Sequence, residues 1–426
     1  MIEILNNWKR HIPEGSRDIL FEDCSNKIQI MNKLRKLYID GGFLEVISPT
    51  LEFYDVFQGD SMSIEQEKMY KLFDNGGRIL VLRPDMTMPI ARIVATKLKD
   101  SLYPMRIAYS GNIFRVNENW NGKVSEITQS GIEIIGSEGV KADAEVIITA
   151  IEALLSIGVK KFELEIGQAE FFKGIIEGID LDNDEMERLR GFVENKNFGA
   201  LREFLEEKGT KLSTRNVKAL KKLPELFGGI EILEKARMLT ENKRALAAID
   251  AIEKIYEKIE SVGLGKYISI DLGMVQHIDY YTGIIFRGYS SEVGTTIISG
   301  GRYDNLISKF GVAMPAVGFA IDVDNILSVL GKQGDSNENI KEKFILHYES
   351  SLIADAYKFA AVIKAKGFLC ELSLFEEIKN TLNYGEQKHI DKIITMYENE
   401  EIAIIDIKNK SKWNISLEEF INSLEE

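Results

Sequence analysis

The chain has 426 residues, of which 45% are hydrophobic and 28% are charged, as in soluble globular proteins. Its formal net charge is −14. Because nucleic-acid binding usually draws its affinity from a basic surface, this balance argues against a nucleic acid as the principal partner. No apolar run approaches the roughly 18 residues that span a bilayer, and the N-terminus lacks a signal peptide's apolar core. We therefore expect a cytoplasmic protein.

The residues that most often bind metals are few and scattered. The two cysteines, Cys24 and Cys370, lie far apart and form no CxxC pair, and the four histidines are not clustered. A disulfide, a zinc site or a histidine-built metal site is therefore not expected. We predict no metal and no cofactor.

The first predicted element is an amphipathic helix from Cys24 to Asp40, with apolar residues at helical spacing. Gly41 and Gly42 end it, and Phe43–Pro49 reads as a strand. A hairpin follows, with strands 69–74 and 78–82 around a glycine turn. An isolated helix–strand unit of this kind is common in many folds.

The next elements alternate between helices and strands. They are a helix from Ile90 to Leu98, strands Met105–Phe114 and Glu126–Ile135, a helix from Ala142 to Leu155, and a strand Phe162–Ile166. Residues from about 170 to 262 are charged and helix-forming, with few strand signals. We predict a helical insertion there.

A polar, glycine-containing stretch from Gly331 to Asn339 is the clearest linker. Beyond it, strands at 344–348 and 368–374 flank a helix at 352–366, which predicts a small α/β domain. The chain is thus predicted to consist of a domain at 1–330, which contains the insertion, and an α/β domain at 340–426.

Three segments carry a specific resemblance. Leu272–Gly283, Ser299–Leu306 and Pro315–Asn325 resemble the histidine-recognition signatures and third motif of histidyl-tRNA synthetases, a class II family. The resemblance implies an α+β fold: a class II aminoacyl-tRNA synthetase-like antiparallel sheet with flanking helices and a helical insertion. It also implies that the C-terminal α/β domain is similar to an anticodon-binding domain, although its acidic balance argues against tRNA binding.

A ligand site is predicted on the strand that contains Gln129, Gly131 and Glu133. Side chains alternate along a strand, so these three share one face, and the glycine leaves room for a small polar ligand. A solvated strand face with a glycine bulge is the alternative. The resemblance implies that Gln129 and Glu133 contact histidine.

Two adjacent tyrosines, Tyr280 and Tyr281, are implied to be part of the same site. An imidazole needs an apolar wall and partners for its two ring nitrogens, and a carboxylate such as Glu133 with a phenol such as Tyr281 meets that need. Two aromatic core residues would be the simpler interpretation.

The remaining predicted ligand contacts are charged or hydroxylated. The resemblance implies that Asp85 and Thr87 hold the α-amino group, although the pair would also suit a helix N-cap. It places Arg115 at an arginine of the second motif, which can bind the ligand carboxylate as a bidentate pair. A surface salt bridge is the alternative for Arg115.

The chain departs from the synthetase pattern where that family handles ATP. Gln276 and Asn325 stand at positions of two arginines that act on phosphates, and an amide cannot replace their permanent charge. Val116, Asn117 and Glu118 also differ from the family's second motif. The sequence thus predicts a histidine site that lacks the residues for histidine activation, and no catalytic residues.

This combination resembles the regulatory subunits of ATP phosphoribosyltransferase, a family related to the synthetases. That resemblance implies no catalytic activity of its own, a short-form catalytic subunit as partner, feedback regulation by L-histidine, and self-association as a dimer through the first motif. A divergent but active histidyl-tRNA synthetase is the main alternative. A stand-alone histidine sensor, or a protein that binds tRNA-like structures, is the third.

Overall fold

A computed structural model describes residues 8–58, 64–116, 124–208, 214–275, 280–333, 342–398 and 401–424. The chain divides into two compact units, residues 1–335 and 336–426. Among the described residues, no helix has both the length and the apolar character needed to cross a membrane.

The first unit contains most of the strands. They are β1 (Leu44–Glu45), β2 (Leu51–Phe53), β3 (Lys71–Phe73), β4 (Ile79–Leu82), β5 (Met105–Phe114), β6 (Glu126–Ile135), β7 (Phe162–Gln168), β8 (Phe227–Gly228), β9 (Ile268–Asp271), β10 (Ile284–Ser290), β11 (Thr296–Arg302) and β12 (Ala316–Asp322).

The helices of this unit flank its sheet and form the segment between β7 and β9. They are α1 (Phe21–Asp40), α2 (Thr87–Lys97), α3 (Val140–Ser156), α4 (Ala169–Ile175), α5 (Asn183–Glu194), α6 (Phe198–Glu207), α7 (Thr214–Lys222), α8 (Ile232–Arg237), α9 (Lys243–Ser261) and α10 (Val323–Gln333).

The main sheet has nine strands within the described ranges, in the order β1-β5-β6-β12-β11-β10-β7-β9-β8. Its pairs are antiparallel except β1 with β5 and β7 with β9. A separate antiparallel sheet has the order β2-β4-β3. The predicted class, a largely antiparallel sheet with flanking helices, is confirmed.

The two longest strands place the predicted ligand residues in the middle of the sheet. β5 and β6 pair over ten residues, with Tyr109 opposite Gly131 and Ile107 opposite Glu133. One face of the sheet packs on α1, α3 and α9, whose apolar stripes share its core. Side chains of alternate residues are therefore left to line the other face.

The first elements differ in detail from prediction. The hairpin of β3 and β4 is confirmed. The strand predicted at 43–49 is reduced to Leu44–Glu45, which pairs with β5 alone. Beyond Val46, whose amide still bonds to Ala108, the chain leaves the sheet toward Pro49, and Ile47 is 92% exposed.

The second unit is a smaller α/β structure. Its elements are β13 (Lys343–His347), α11 (Ile353–Ala365), β14 (Leu369–Leu372), α12 (Ile378–Gln387), β15 (Lys392–Met396), β16 (Glu401–Asp406), β17 (Ser411–Ser416) and α13 (Leu417–Ser423). The sheet order is β14-β13-β15-β16-β17, with β13 parallel to both neighbours. Sequence patterns had not indicated α12, β17 or α13.

Candidate functional site

A cavity of about 170 Å³ lies on the face of the main sheet opposite α3 and α9. An apolar cavity of ~150 Å³ holds benzene, so this space can accept a five-membered ring. All seven residues predicted to contact a ligand line it: Asp85, Thr87, Arg115, Gln129, Glu133, Tyr280 and Tyr281. They come from the start of α2, the end of β5, the middle of β6 and the approach to β10.

Glu133 is the buried polar centre of the cavity, with 1% of its surface exposed. Oε1 accepts from Thr87 Oγ1 at 3.1 Å, and Oε2 accepts from the Tyr303 hydroxyl. Burial raises the pKa of Glu133 to about 8, against the opposing effect of these hydroxyl donors. At neutral pH the protonated form of Glu133 is therefore favoured. A cation or further hydrogen-bond donors beside the carboxyl would favour its ionised form.

The space over Gly131 is already occupied, contrary to the expectation from sequence. A Cβ at Gly131 would overlap the carbonyl oxygen of Phe319 on β12 and lie 2.7 Å from the Tyr109 hydroxyl. That hydroxyl donates to the Phe319 carbonyl at 3.3 Å and lies 3.5 Å from Glu133 Oε1. The glycine therefore accommodates the neighbouring strand's carbonyl group and a phenol, and the open cavity lies beside Glu133 and the tyrosines instead.

Three tyrosines form one wall of the cavity. The rings of Tyr280 and Tyr281 meet edge to face at 4.9 Å, and Tyr280 lies 5.7 Å from Tyr303. A Cβ at Gly301 would come within 2.6 Å of the Tyr281 ring, so only glycine admits this ring position. The hydroxyl of Tyr281 makes no hydrogen bond to any described residue, which leaves it available inside the cavity.

The charges at the other end are mixed. Arg115 Nε donates to the Pro84 carbonyl at 2.8 Å, and within the described ranges its terminal nitrogens have no hydrogen-bond or ion-pair partner. Burial lowers the pKa of Arg115, while Asp85 and Asp322 oppose that change. Arg115 is thus held in place through Nε, and its terminal nitrogens remain available for a bidentate hydrogen bond.

Asp85 forms the predicted helix cap and also lies at the cavity. Its Oδ1 accepts from the Met88 amide at 2.8 Å and so caps the first turn of α2, and the residue also lines the cavity. Burial raises the pKa of Asp85, and the Met88 amide and Arg115 oppose that rise. The Thr87 hydroxyl donates to Glu133. The side-chain amide of Gln129 forms no hydrogen bond with any residue that the structure describes.

Gln276 and Asn325 stand at the two positions where the synthetases have an arginine, and the structure describes only the second of them. Gln276, like Asn117 and Glu118, lies outside the described residues. Asn325 does not line the cavity; its Nδ2 donates to Thr296 O at 2.9 Å and to Asp322 Oδ2 at 3.0 Å. Burial raises the pKa of Asp322 to about 6. The side chain of Asn325 is therefore committed to structural bonds.

Sequence reasoning missed Tyr109 and Tyr303, which both contact Glu133. Tyr303 lies within the signature Ser299–Leu306, so its position was available as a signal, whereas Tyr109 had none. It also missed Gly318, where a Cβ would overlap Glu133 Oε2. Within the described ranges, no group of three His, Cys, Asp or Glu residues is arranged to hold a metal ion.

Comparison with known proteins places this arrangement in a family. The sequence model of histidyl-tRNA synthetase matches residues 15–326. An ATP phosphoribosyltransferase regulatory subunit from Clostridium botulinum is 52% identical over 405 residues, which is 95% of this chain and 96% of that protein. The chain belongs to the family of ATP phosphoribosyltransferase regulatory subunits.

Solved structures agree with this family. A Bacillus halodurans protein described as an ATP phosphoribosyltransferase regulatory subunit/histidyl-tRNA synthetase has a TM-score of 0.80 at 33% identity, over 91% of this chain and 98% of its own. A Nostoc histidyl-tRNA synthetase has a TM-score of 0.81 at 18% identity, over 98% of this chain and 99% of its own, which shows a shared fold. The predicted resemblance to regulatory subunits is confirmed.

Proposed function

We propose that this chain is the non-catalytic regulatory subunit of an ATP phosphoribosyltransferase in the first step of histidine biosynthesis. Its sheet-face cavity would bind L-histidine as the feedback signal. The observation that carries the proposal is the cavity itself, in which all seven predicted contacts meet. Feedback would then arise because histidine binds one assembly state of the complex with the catalytic subunit more tightly than another.

The cavity fits the chemistry of histidine at each end. Glu133 can accept from a ring nitrogen, and the tyrosine wall supplies an edge for the imidazole. The carboxyl of Asp85 suits the α-ammonium, and the outer edge of Arg115 suits the α-carboxylate. Buried carboxyls together with a single arginine among the described lining residues match a zwitterion better than a triphosphate.

Calorimetric titration with L-histidine tests the site. The parent protein is expected to bind it, and Glu133→Ala is expected to abolish binding because the buried acceptor for the ring is lost. Glu163→Ala, an exposed carboxyl on β7, is the matched control and should bind like the parent. Unchanged affinity in Glu133→Ala would show that the ligand site is elsewhere.

Co-purification with a short-form catalytic subunit, with and without histidine, tests the assembly. A stable complex whose phosphoribosyl transfer falls when histidine is added supports the regulatory role. Histidine binding by a chain that never joins the catalytic subunit would instead indicate a stand-alone sensor.

Self-association as a dimer is part of the proposal. Leu44, Ile47, Phe53 and Phe73 come from the first motif and the adjacent small sheet, and all four are exposed. Large apolar side chains that are left exposed on neighbouring segments favour a protein–protein contact. Sedimentation of the parent and of Ile47→Asp tests this; a monomeric parent would exclude it.

The domain limits belong to the proposal as well. A synthetase-like core at 1–330 with its insertion at about 170–262 would contain the histidine site. Residues 340–426 would form a domain similar to an anticodon-binding domain, with tRNA not its principal partner, and the complex would be cytoplasmic. Expression of 1–333 alone tests this division, since it should still bind histidine.

A further inference from the structure

Two helices of the insertion contact the chain on either side of residues 276–279. On one side, the amide of Val275 donates to Oε2 of Glu194, the last residue of α5, at 2.9 Å. On the other, Nζ of Lys173 on α4 donates to the carbonyl oxygen of Tyr281 at 2.9 Å. The segment that ends in the tyrosine wall is thus bonded to the insertion at both ends.

Lys173 is itself held by a second charged pair. Its Nζ lies 3.2 Å from Oε1 of Glu170, and Glu170 also accepts from Arg244 in the first turn of α9. The Lys173 side chain is 20% exposed and that of Glu170 is 27% exposed. A continuous polar path therefore runs from α9 through α4 to the backbone of Tyr281.

Glu194 is similarly fixed. Its Oε1 accepts from Arg287 Nη1 on β10 at 2.7 Å, so one carboxylate joins α5, β10 and Val275. Beside it, Lys196 pairs with Asp271 at 3.1 Å, at the end of β9. The four charged residues, Glu194, Arg287, Lys196 and Asp271, line an open cavity of about 480 Å³, which shares no lining residue with the cavity on the sheet face.

We propose that Lys173 and Glu194 are positioning residues, through which the helical insertion sets the placement of Tyr280 and Tyr281 and so the affinity of the ligand cavity. The affinity part of this inference rests on the proposed function. Hydrogen bonds from α4 and α5 hold the backbone at Tyr281 and Val275, so a small shift of either helix would move the tyrosines. Because coupling is reciprocal, a bound ligand must stabilise α4 and α5 in return.

Three variants of the full-length chain and two controls test the inference. Lys173→Met keeps the aliphatic stem and removes the donor, and Lys173→Arg can restore it. Glu194→Gln keeps the size and removes the charge. The matched controls are Lys221→Met and Glu187→Gln, surface residues of the insertion that pair with Glu206 and Arg190 at 3.4 Å, both also within the insertion.

Hydrogen exchange measured without ligand tests whether Lys173 and Glu194 stabilise the backbone on either side of residues 276–279. Amides of 271–275 and 280–283 should exchange about tenfold faster in Lys173→Met and Glu194→Gln, as expected when a bond worth about 1.4 kcal/mol is lost. Lys173→Arg and both controls should exchange like the parent. Equal rates in all variants would overturn the positioning role, whether or not the chain binds histidine.

Calorimetry with L-histidine then tests whether the insertion affects the affinity of the cavity. Lys173→Met and Glu194→Gln are expected to weaken binding about tenfold, and Lys173→Arg to restore most of it. In the parent, histidine should slow exchange in α4 and α5. Faster wall exchange with unchanged affinity would overturn the coupling, whereas no binding by the parent would overturn the proposed function together with this affinity effect.

Discussion

The hydroxyl of Tyr303 donates a hydrogen bond to Oε2 of Glu133, although the two residues are 170 positions apart in the sequence. Tyr303 follows β11 and Glu133 lies in β6, with β12 between the two strands. Together with Thr87, Tyr303 satisfies a carboxyl group that is almost wholly buried. The acidic centre of the cavity is therefore present before any ligand arrives.

The raised pKa of Glu133 predicts how stability depends on pH. The group has a usual pKa of 4.5 and a folded pKa of about 8, so the folded state holds a proton that the unfolded state releases. Its contribution to the free energy of unfolding is complete below pH 4.5 and is lost as pH rises through 8. Glu133→Gln should remove this dependence, which urea unfolding between pH 5 and 8 measures.

The size of that effect is bounded by the linkage relation. One proton corresponds to a slope of about 1.4 kcal/mol per pH unit, so between pH 5 and 8 the parent should lose up to that much more stability in each pH unit than Glu133→Gln. Other buried carboxyls, such as Asp322, contribute equally to both proteins. Parallel pH profiles would show that Glu133 is ionised in the folded protein.

Tyr303→Phe removes one donor from the buried carboxyl. We expect a loss of about 1–3 kcal/mol in the free energy of unfolding, the usual cost of leaving a buried polar atom without its partner. Because the Tyr303 hydroxyl lowers the pKa of Glu133, the variant should also move the pH transition higher. Tyr289→Phe on β10, which is partly exposed, is the control and should change neither quantity.

The sequence allowed much of the fold to be predicted because several elements carry strong local signals. The limits of β5 and β6 agree with those predicted at 105–114 and 126–135, since apolar residues run through both strands. Helices α1, α2, α3 and α11 were predictable from the helical spacing of their apolar residues, whereas α12 and α13 were not. By contrast, β17 is largely exposed and has no apolar alternation to reveal it.

The site could be predicted only where a motif supplied its residues. The seven predicted residues meet at one cavity because the signatures specify the ends of particular strands and helices. Tyr109 lies in a strand with no such signature, so its place over Gly131 follows only from the pairing of β5 with β6. Contacts set by register between distant strands are not visible in local sequence.

Gly301→Ala should disrupt the tyrosine wall. The added Cβ would lie 2.6 Å from the Tyr281 ring and 2.6 Å from the carbonyl oxygen of Ile284, so the ring or strand must move. Overpacking of this kind costs about 1–3 kcal/mol, and we expect histidine affinity to fall at least about tenfold. Calorimetry and thermal unfolding measure the two effects.

Gly331→Ala in α10 is the matched control for that substitution. A Cβ at Gly331 meets no atom within 4 Å, and alanine favours a helix over glycine by at most about 1 kcal/mol. It should leave histidine affinity unchanged. Equal binding by both glycine variants would mean that Tyr281 does not form part of the ligand site.

Histidine-dependent exchange of pyrophosphate into ATP should be absent, both in the parent and in Asn325→Arg. Arg115 is the only basic side chain among the described residues that line the cavity, and triphosphate chemistry needs more fixed positive charge than that.

The substitution Asn325→Arg would break the Asn325 bonds to Thr296 and Asp322, at a cost of about 1–3 kcal/mol in stability. The new cation would also face Asp322 and be partly neutralised. An active histidyl-tRNA synthetase assayed alongside provides the positive control, and exchange by the parent would identify the chain as an enzyme.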